Sequence, residues 1–222
     1  MTNKILQKDI FLQSEADEWF QRNKQATANQ LFSQDTVCAE IQKIITAKSS
    51  QGKAFKILEV GCGEGLRLSW LSKEFGAQVF GIEPSKKAVI EAAKRGIVAT
   101  QGTADLLPYE DETFDILIFG FCLYLCDQQD LFKIAYEADR VLKKDAWLII
   151  NDFYYPGSIT RDYHHKLGVQ SHKMDYRALF EWHPAYICYG HQIQQHGLHE
   201  FCDDPQEWVA VSTMRKGGAS NA

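Results

Sequence analysis

The stretch "ILEVGCGEG", residues 57–65, limits the possible folds of this chain more than any other. It opens on an apolar run of strand length and closes with glycine at three alternate positions, Gly61, Gly63 and Gly65. After it Leu68, Leu71 and Phe75 recur at helical spacing, and Gly76 can close the helix. A buried strand, a turn without Cβ atoms and a helix with unpaired first N–H groups together satisfy this pattern. Such a turn lets a ligand approach the backbone closely. A dinucleotide-binding G-x-G-x-x-G wants glycine at 66, where the chain has Leu66, and a phosphate loop wants Lys-Ser/Thr where it has Leu66 and Arg67. Glu59 lies two residues before the first glycine and Glu64 within the loop, poor company for pyrophosphate and good company for a cation. The loop therefore predicts a sulfonium or ammonium ligand.

The segments "FKILEV", "QVFGIE", "GIVATQG", "FDILIFGF" and "AWLIINDF" read as strands separated by amphipathic stretches, the texture of a parallel sheet covered by helices. Ser85 suits the cap of the helix that follows the second strand, and Leu131 to Leu142 keep one helical face before the fifth. "AYICYG" and "EWVAVSTMR" add two late strands. The fold expected is α/β, Rossmann-like, with a mostly parallel seven-stranded sheet and helices on both faces. Residues 14–33 read as one or two helices lying on this body. The chain of 222 residues suits one domain, and the expected division is a helical cap over 1–50 and the sheet domain over 51–222, with an insertion at about 154–185 that shows no clear strand. The tail "KGGASNA" is expected to be mobile.

Composition bounds the partners. A formal net charge of -5 argues against a main role in gripping phosphate backbones, so no nucleic acid is expected. No apolar run approaches a membrane span, and "MTNKILQKDI" lacks the apolar region of a leader, which leads to the expectation of a cytoplasmic protein with its six scattered cysteines reduced.

Taken in order, these motifs resemble the class I S-adenosylmethionine-dependent methyltransferases, of the type-11-like domain, across roughly residues 55–152. "LEVGCGEG" looks like the family's first cofactor motif, which implies contacts from Glu59, Gly61, Cys62, Gly63 and Gly65. "GIEPS" places Glu83, followed by Pro84, where the family's acid receives both ribose hydroxyls. "GTADLLPYEDETFDILIFGF" is similar to the stretch running from the adenine loop into strand four, which implies roles for Thr103, Ala104, Asp105 and Gly120. It departs at Thr103, where an Asp commonly binds the adenine amino group. Asp105 can substitute, or Ala104 backbone and apolar contacts hold the base. The implied cofactor is S-adenosyl-L-methionine, with S-adenosyl-L-homocysteine as product.

The sulfonium is already a good leaving group, so the chemistry asks mainly for alignment and a dry site. The resemblance places a small-molecule acceptor, such as a sugar or other metabolite precursor, beyond strands four and five under the cap. A protein or nucleic-acid acceptor and a non-catalytic cofactor sensor are the alternatives, and the oligomeric state stays open. Tyr124 is a candidate for the methyl channel or its wall. His164 and His165 are candidate bases for a hydroxyl acceptor or a surface pair in a loop. Trp19 and Arg22 share a helical face, so Arg22 can meet the methionine carboxylate while Trp19 closes over the site, or Trp19 packs the helix and Arg22 is solvated. Their "WFQRNK" is similar to lead-ins of stand-alone methyltransferases of that family. Cys188, His191, His196, His199 and Cys202 resemble a metal site in composition but not in spacing, and no metal is expected.

Overall fold

The computed structural model describes residues 6–48, 53–198 and 200–217. The boundary placed at 50, most of the polar tail and His199 lie outside these. The N-terminal lead-in is one continuous helical run from α1 (Gln7–Ile10) through a π-helical turn (Phe11–Glu15) into α2 (Ala16–Ala28). It begins earlier than residue 14 because Asp127 holds its start: the Asp127 carboxylate accepts from the backbone N–H groups of Gln7 and Lys8, each at 3.0 Å. A second helix, α3 (Thr36–Lys48), buries Val37, Cys38, Ile41 and Ile44 against one face of the sheet.

The sheet contains β1 (Lys56–Val60), β2 (Gln78–Glu83), β3 (Val98–Gln101), β4 (Phe114–Gly120), β5 (Leu142–Phe153), β8 (Tyr186–Gln195) and β9 (Trp208–Lys216) in the order β3-β2-β1-β4-β5-β9-β8. The first five run parallel, and β9 lies antiparallel between β5 and β8. Helices α4 (Leu66–Phe75) and α5 (Lys86–Lys94) join α3 on one face, and α6 (Leu131–Val141) and the short α7 (Ala178–Glu181) cover the other. Burial on both faces explains why β1 and β4 read as continuous apolar runs: Ile57, Leu58, Ile116, Leu117 and Ile118 are fully buried. This is the expected seven-stranded, mostly parallel architecture. Strand order reverses between β1 and β4, and the crevice beyond their carboxyl ends is where such sheets bind ligands.

The segment 154–185 departs from its expected lack of strands. It carries a hairpin, β6 (Ser158–Asp162) and β7 (Gln170–Met174). "SITRD" and "QSHKM" hide few apolar groups, so the period-two signal is absent, and the hairpin is held instead from outside. Gln7 donates to the carbonyls of Leu125 (3.0 Å) and Gln170 (3.1 Å), and its carbonyl accepts from the Gln170 N–H (2.5 Å). The cap also reaches the first half of the sheet. Asp17 of α2 accepts from the Ser85 hydroxyl (2.6 Å) and the Lys87 N–H (3.0 Å) at the start of α5, while Ser85 Oγ accepts from the Ala88 N–H.

Candidate functional site

The three glycines of the β1–α4 loop all take positive φ, at 80°, 54° and 71°, but each is required for a different reason. A Cβ on Gly61 would stand 2.8 Å from that of Cys122 and 3.0 Å from the Gly120 carbonyl, and one on Gly65 would press on Ile97. A Cβ on Gly63 would meet nothing within 4 Å. Its open side faces a cavity of about 810 Å³ at the carboxyl ends of β1, β2 and β4, roofed by α2. Pockets of this size accommodate a nucleoside-sized ligand together with a second small molecule.

Glu83, at the end of β2, is the loop's partner. One carboxylate oxygen accepts from the Gly63 N–H (2.9 Å) and the other from the Ser85 N–H (2.8 Å). Each oxygen keeps a further lone pair, and the group lines the cavity. Burial pushes its pKa up to about 7, against the pull of the two backbone donors. A diol donating two hydroxyls would complete this carboxylate, and Gly63 leaves room for the backbone approach, so the residues present fit the ribose and methionine parts of an adenosyl sulfonium.

The loop acids are less available than their spacing implied. Glu59 pairs with the Arg67 guanidinium, which also reaches Asp35 at 3.3 Å, and Glu64 pairs with Arg95 at 2.5 Å. Both arginines are charges of the chain itself, so Glu64 is already neutralised within the fold. Glu59 keeps one buried oxygen without a hydrogen-bond partner and lines the cavity.

The cavity collects Trp19, Glu59, Gly61, Cys62, Gly63, Glu83, Pro84, Thr103, Ala104, Asp105 and Gly120 from the cofactor residues expected, and leaves out two. Gly65 is spent on packing against Ile97. Arg22 is turned inward within the cap, donating to Glu15 (2.5 Å) and to the Tyr163 hydroxyl (3.3 Å). The guanidinium that does line the cavity is that of Arg67, which spacing did not single out. Asp105 accepts from Thr103 (2.7 Å), Lys8 (2.7 Å) and Lys133 (3.3 Å). Burial alone would raise its carboxyl, and the Lys8 and Thr103 hydrogen bonds overcome it, holding it at about 2.

None of the three candidate catalytic side chains lines the cavity. Tyr124 is buried edge-on to Phe121 and Phe153, with its hydroxyl turned to Trp19, and burial pushes its phenol up. His164 and His165 lie against each other, their rings tilted by 44°, in the exposed β6–β7 turn. The histidine in the cavity is His196, on the turn between β8 and β9. Asp152, fully buried at the end of β5, accepts from the Leu123 N–H (2.7 Å) and the Phe153 N–H (2.8 Å), and so shapes the loop after β4. Cysteine and histidine residues of the 188–202 stretch disperse: His191 pairs with Ser212 (2.9 Å), Cys188 with Arg177, and His196 stacks on Phe121. Among the described residues no group of His, Cys, Asp or Glu is arranged to hold a metal ion.

Residues 58–150 match the model of a family described as "Methyltransferase domain". These residues hold the end of β1, the glycine loop, Glu83 and β4, which line one side of the cavity. Over residues 58–150 the chain thus carries a methyltransferase domain of the kind found in the class I S-adenosylmethionine-dependent enzymes. The chain is 30% identical to methyltransferase GfsG of Streptomyces halstedii, over 47% of this chain and 40% of the relative, and 28% identical to a fatty-acid O-methyltransferase of Mycolicibacterium smegmatis, over 48% and 40%. The chain thus spans about half the length of the curated relatives it matches. In fold it is similar to the Burkholderia thailandensis 1,6-didemethyltoxoflavin-N1-methyltransferase, solved with that compound and S-adenosylhomocysteine, at a TM-score of 0.70 and 14% identity over 95% of this chain and 89% of that one. No helix among the described residues is long and apolar enough to cross a membrane.

Proposed function

We propose that this methyltransferase domain transfers the methyl group of S-adenosylmethionine to a small-molecule acceptor. The observation that carries the reading is Glu83, a cavity-lining carboxylate anchored by two backbone N–H groups with a lone pair left on each oxygen for a vicinal diol. Gly61 and Gly63 would pass the backbone along the methionine part, Glu59 would face its ammonium, and Thr103 and Ala104 would flank the adenine. When bound, the sulfonium supplies an electrophilic methyl group. The chain's own residues then have three tasks: to hold the ligand, to align an acceptor lone pair behind the methyl, and to exclude water. The roof of α2, with Trp19 and Phe20 lining the cavity, supports the last of these. A concave cavity partly roofed by α2 favours a small acceptor over a protein or nucleic-acid one, and a relative and a fold neighbour are named for small acceptors, fatty acids and 1,6-didemethyltoxoflavin.

Calorimetric titration with S-adenosylhomocysteine tests the reading, with binding expected and Glu83→Ala weakening it at least tenfold, about 1.4 kcal/mol. Absence of binding to the unaltered chain would sink the proposal. Tight binding with no methyl transfer to any small-molecule pool would instead make the chain a cofactor sensor.

A further inference from the structure

Away from the glycine loop the cavity runs on between the α2–α3 linker and the β8–β9 turn. Leu31 and Leu198 line it there while remaining 65% and 49% exposed, which places them at its mouth. One wall of this lobe is apolar, from Phe121, Val209 and Val211. Polar side chains also line it, Asn29, Gln30 and Gln34 from the linker, Asn151 from β5 and His196 from the turn, while Gln194 accepts from the Thr36 hydroxyl at 3.3 Å.

His196 is held as a positioned group would be. Its backbone N–H donates to the Glu207 carbonyl at 2.7 Å. Its ring stacks on Phe121 (centroids 5.4 Å apart, 29° between planes) and tilts against Phe153 (5.0 Å, 53°). Phe121 itself stands at φ 60° directly after β4, a conformation a bulky residue rarely adopts and one that marks a site where strain serves geometry. No hydrogen bond is made to the His196 ring nitrogens among the described residues, so they are available to a ligand.

We propose that His196 takes the proton from the hydroxyl of a small aromatic acceptor bound in this lobe. The proposal rests on the methyl-transfer reading above and deepens it. The acceptor O–H bond breaks with its proton going to a ring nitrogen of His196. The oxygen lone pair forms the new bond to the methyl carbon while the carbon–sulfur bond breaks, its electron pair staying on sulfur, and the imidazolium then returns the proton to water. His196 is exposed at the mouth of the cavity, and the partial desolvation of its ring lowers its pKa; Glu207 before β9 opposes this and Lys173 on β7 adds to it, which favours the neutral imidazole that can accept a proton. An aromatic ring with one hydroxyl matches the apolar wall of Phe121, Val209 and Val211 that lies beside this one base. An unactivated phenol is protonated near neutrality and needs such a base.

Two probes read the role. With the full chain and S-adenosylmethionine, 4-methylphenol should be methylated, and His196→Gln should lower its kcat/KM at least about a hundredfold, while 4-nitrophenol, ionised by itself at alkaline pH, should lose less than about fivefold. The acid limb of the pH–rate profile should vanish with the base. Without donor present, the His196 ring-proton NMR signal, assigned by its absence in His196→Gln, should move on addition of 4-methylphenol. Equal losses with both phenols, an unchanged His196→Gln, or no methylation together with no NMR shift would each overturn the proposal. Failure of S-adenosylhomocysteine to bind would remove the methyl-transfer reading separately, since His196 lies away from Glu83 and the NMR shift still reports on the lobe.

Discussion

At the glycine loop the cavity wall is made of backbone, whereas in the opposite lobe it is made of side chains brought in by the helical cap and by a turn between two late strands. The first wall is fixed by β1, β2 and β4, whose residues are among the most buried in the molecule, and its ligand groups are N–H donors and one anchored carboxylate. The second is assembled from α2, the linker to α3 and the β8–β9 turn, and the cap that carries α2 is tied to the body by long-range hydrogen bonds such as those of Gln7. A donor that never changes can be met by a rigid wall. An acceptor that differs between relatives is better met by parts that can be exchanged without touching the sheet.

This contrast can be broken experimentally. The largest effect is expected for Gly61→Val, where positive φ and contacts with Cys122 and Gly120 combine. Destabilisation of about 2–5 kcal/mol by denaturant unfolding is expected, together with loss of S-adenosylhomocysteine binding. Next comes pH. With its pKa near 7, Glu83 loses its charge as pH falls, and ligand hydroxyls favour the charged acceptor. S-adenosylhomocysteine affinity should therefore fall about tenfold from pH 8 to pH 6, and Glu83→Gln should flatten that profile. A smaller effect is expected when the cap is loosened by Gln7→Ala with Lys8→Met. Global stability should drop by less than about 2 kcal/mol, while amide exchange accelerates across 7–28 and stays slow in β1 and β4. Least of all, His164→Ala and His165→Ala should leave stability within about 0.5 kcal/mol and leave 4-methylphenol binding unaltered, because both rings are exposed and outside the cavity. A strong loss in either would reverse the assignment of the acceptor lobe to His196.

What could be read in advance follows the same division. Strand, loop and helix around residues 57–76 are local events, fixed by apolar period, glycine φ and a cap, and Glu83 follows from its place at the end of a recognisable strand. Ion pairing is not local. Arg67 reaches back eight positions to Glu59, Arg95 reaches 31 to Glu64, and Lys8 reaches 97 to Asp105, so acids that looked free for a ligand have partners only the fold supplies. The β6–β7 hairpin escaped because its strands are polar and stabilised by the cap. His196 was visible as a residue, but only within a metal-like cluster. Its relevance appears once β8 and β9 pair and swing their turn over the end of β4, whereas the adjacent pair His164 and His165 drew the eye by composition alone.

Asp17 gives the cap an attachment whose consequence is coupling. It lies on the helix that roofs the acceptor, yet its carboxylate closes the start of α5, two residues beyond Glu83. The same helix is thus fastened beside Glu83 and lies over the rest of the cavity. On the methyl-transfer reading, any movement of α2 that admits an acceptor also pulls on the attachment beside Glu83, so the two occupants are expected to affect each other's binding.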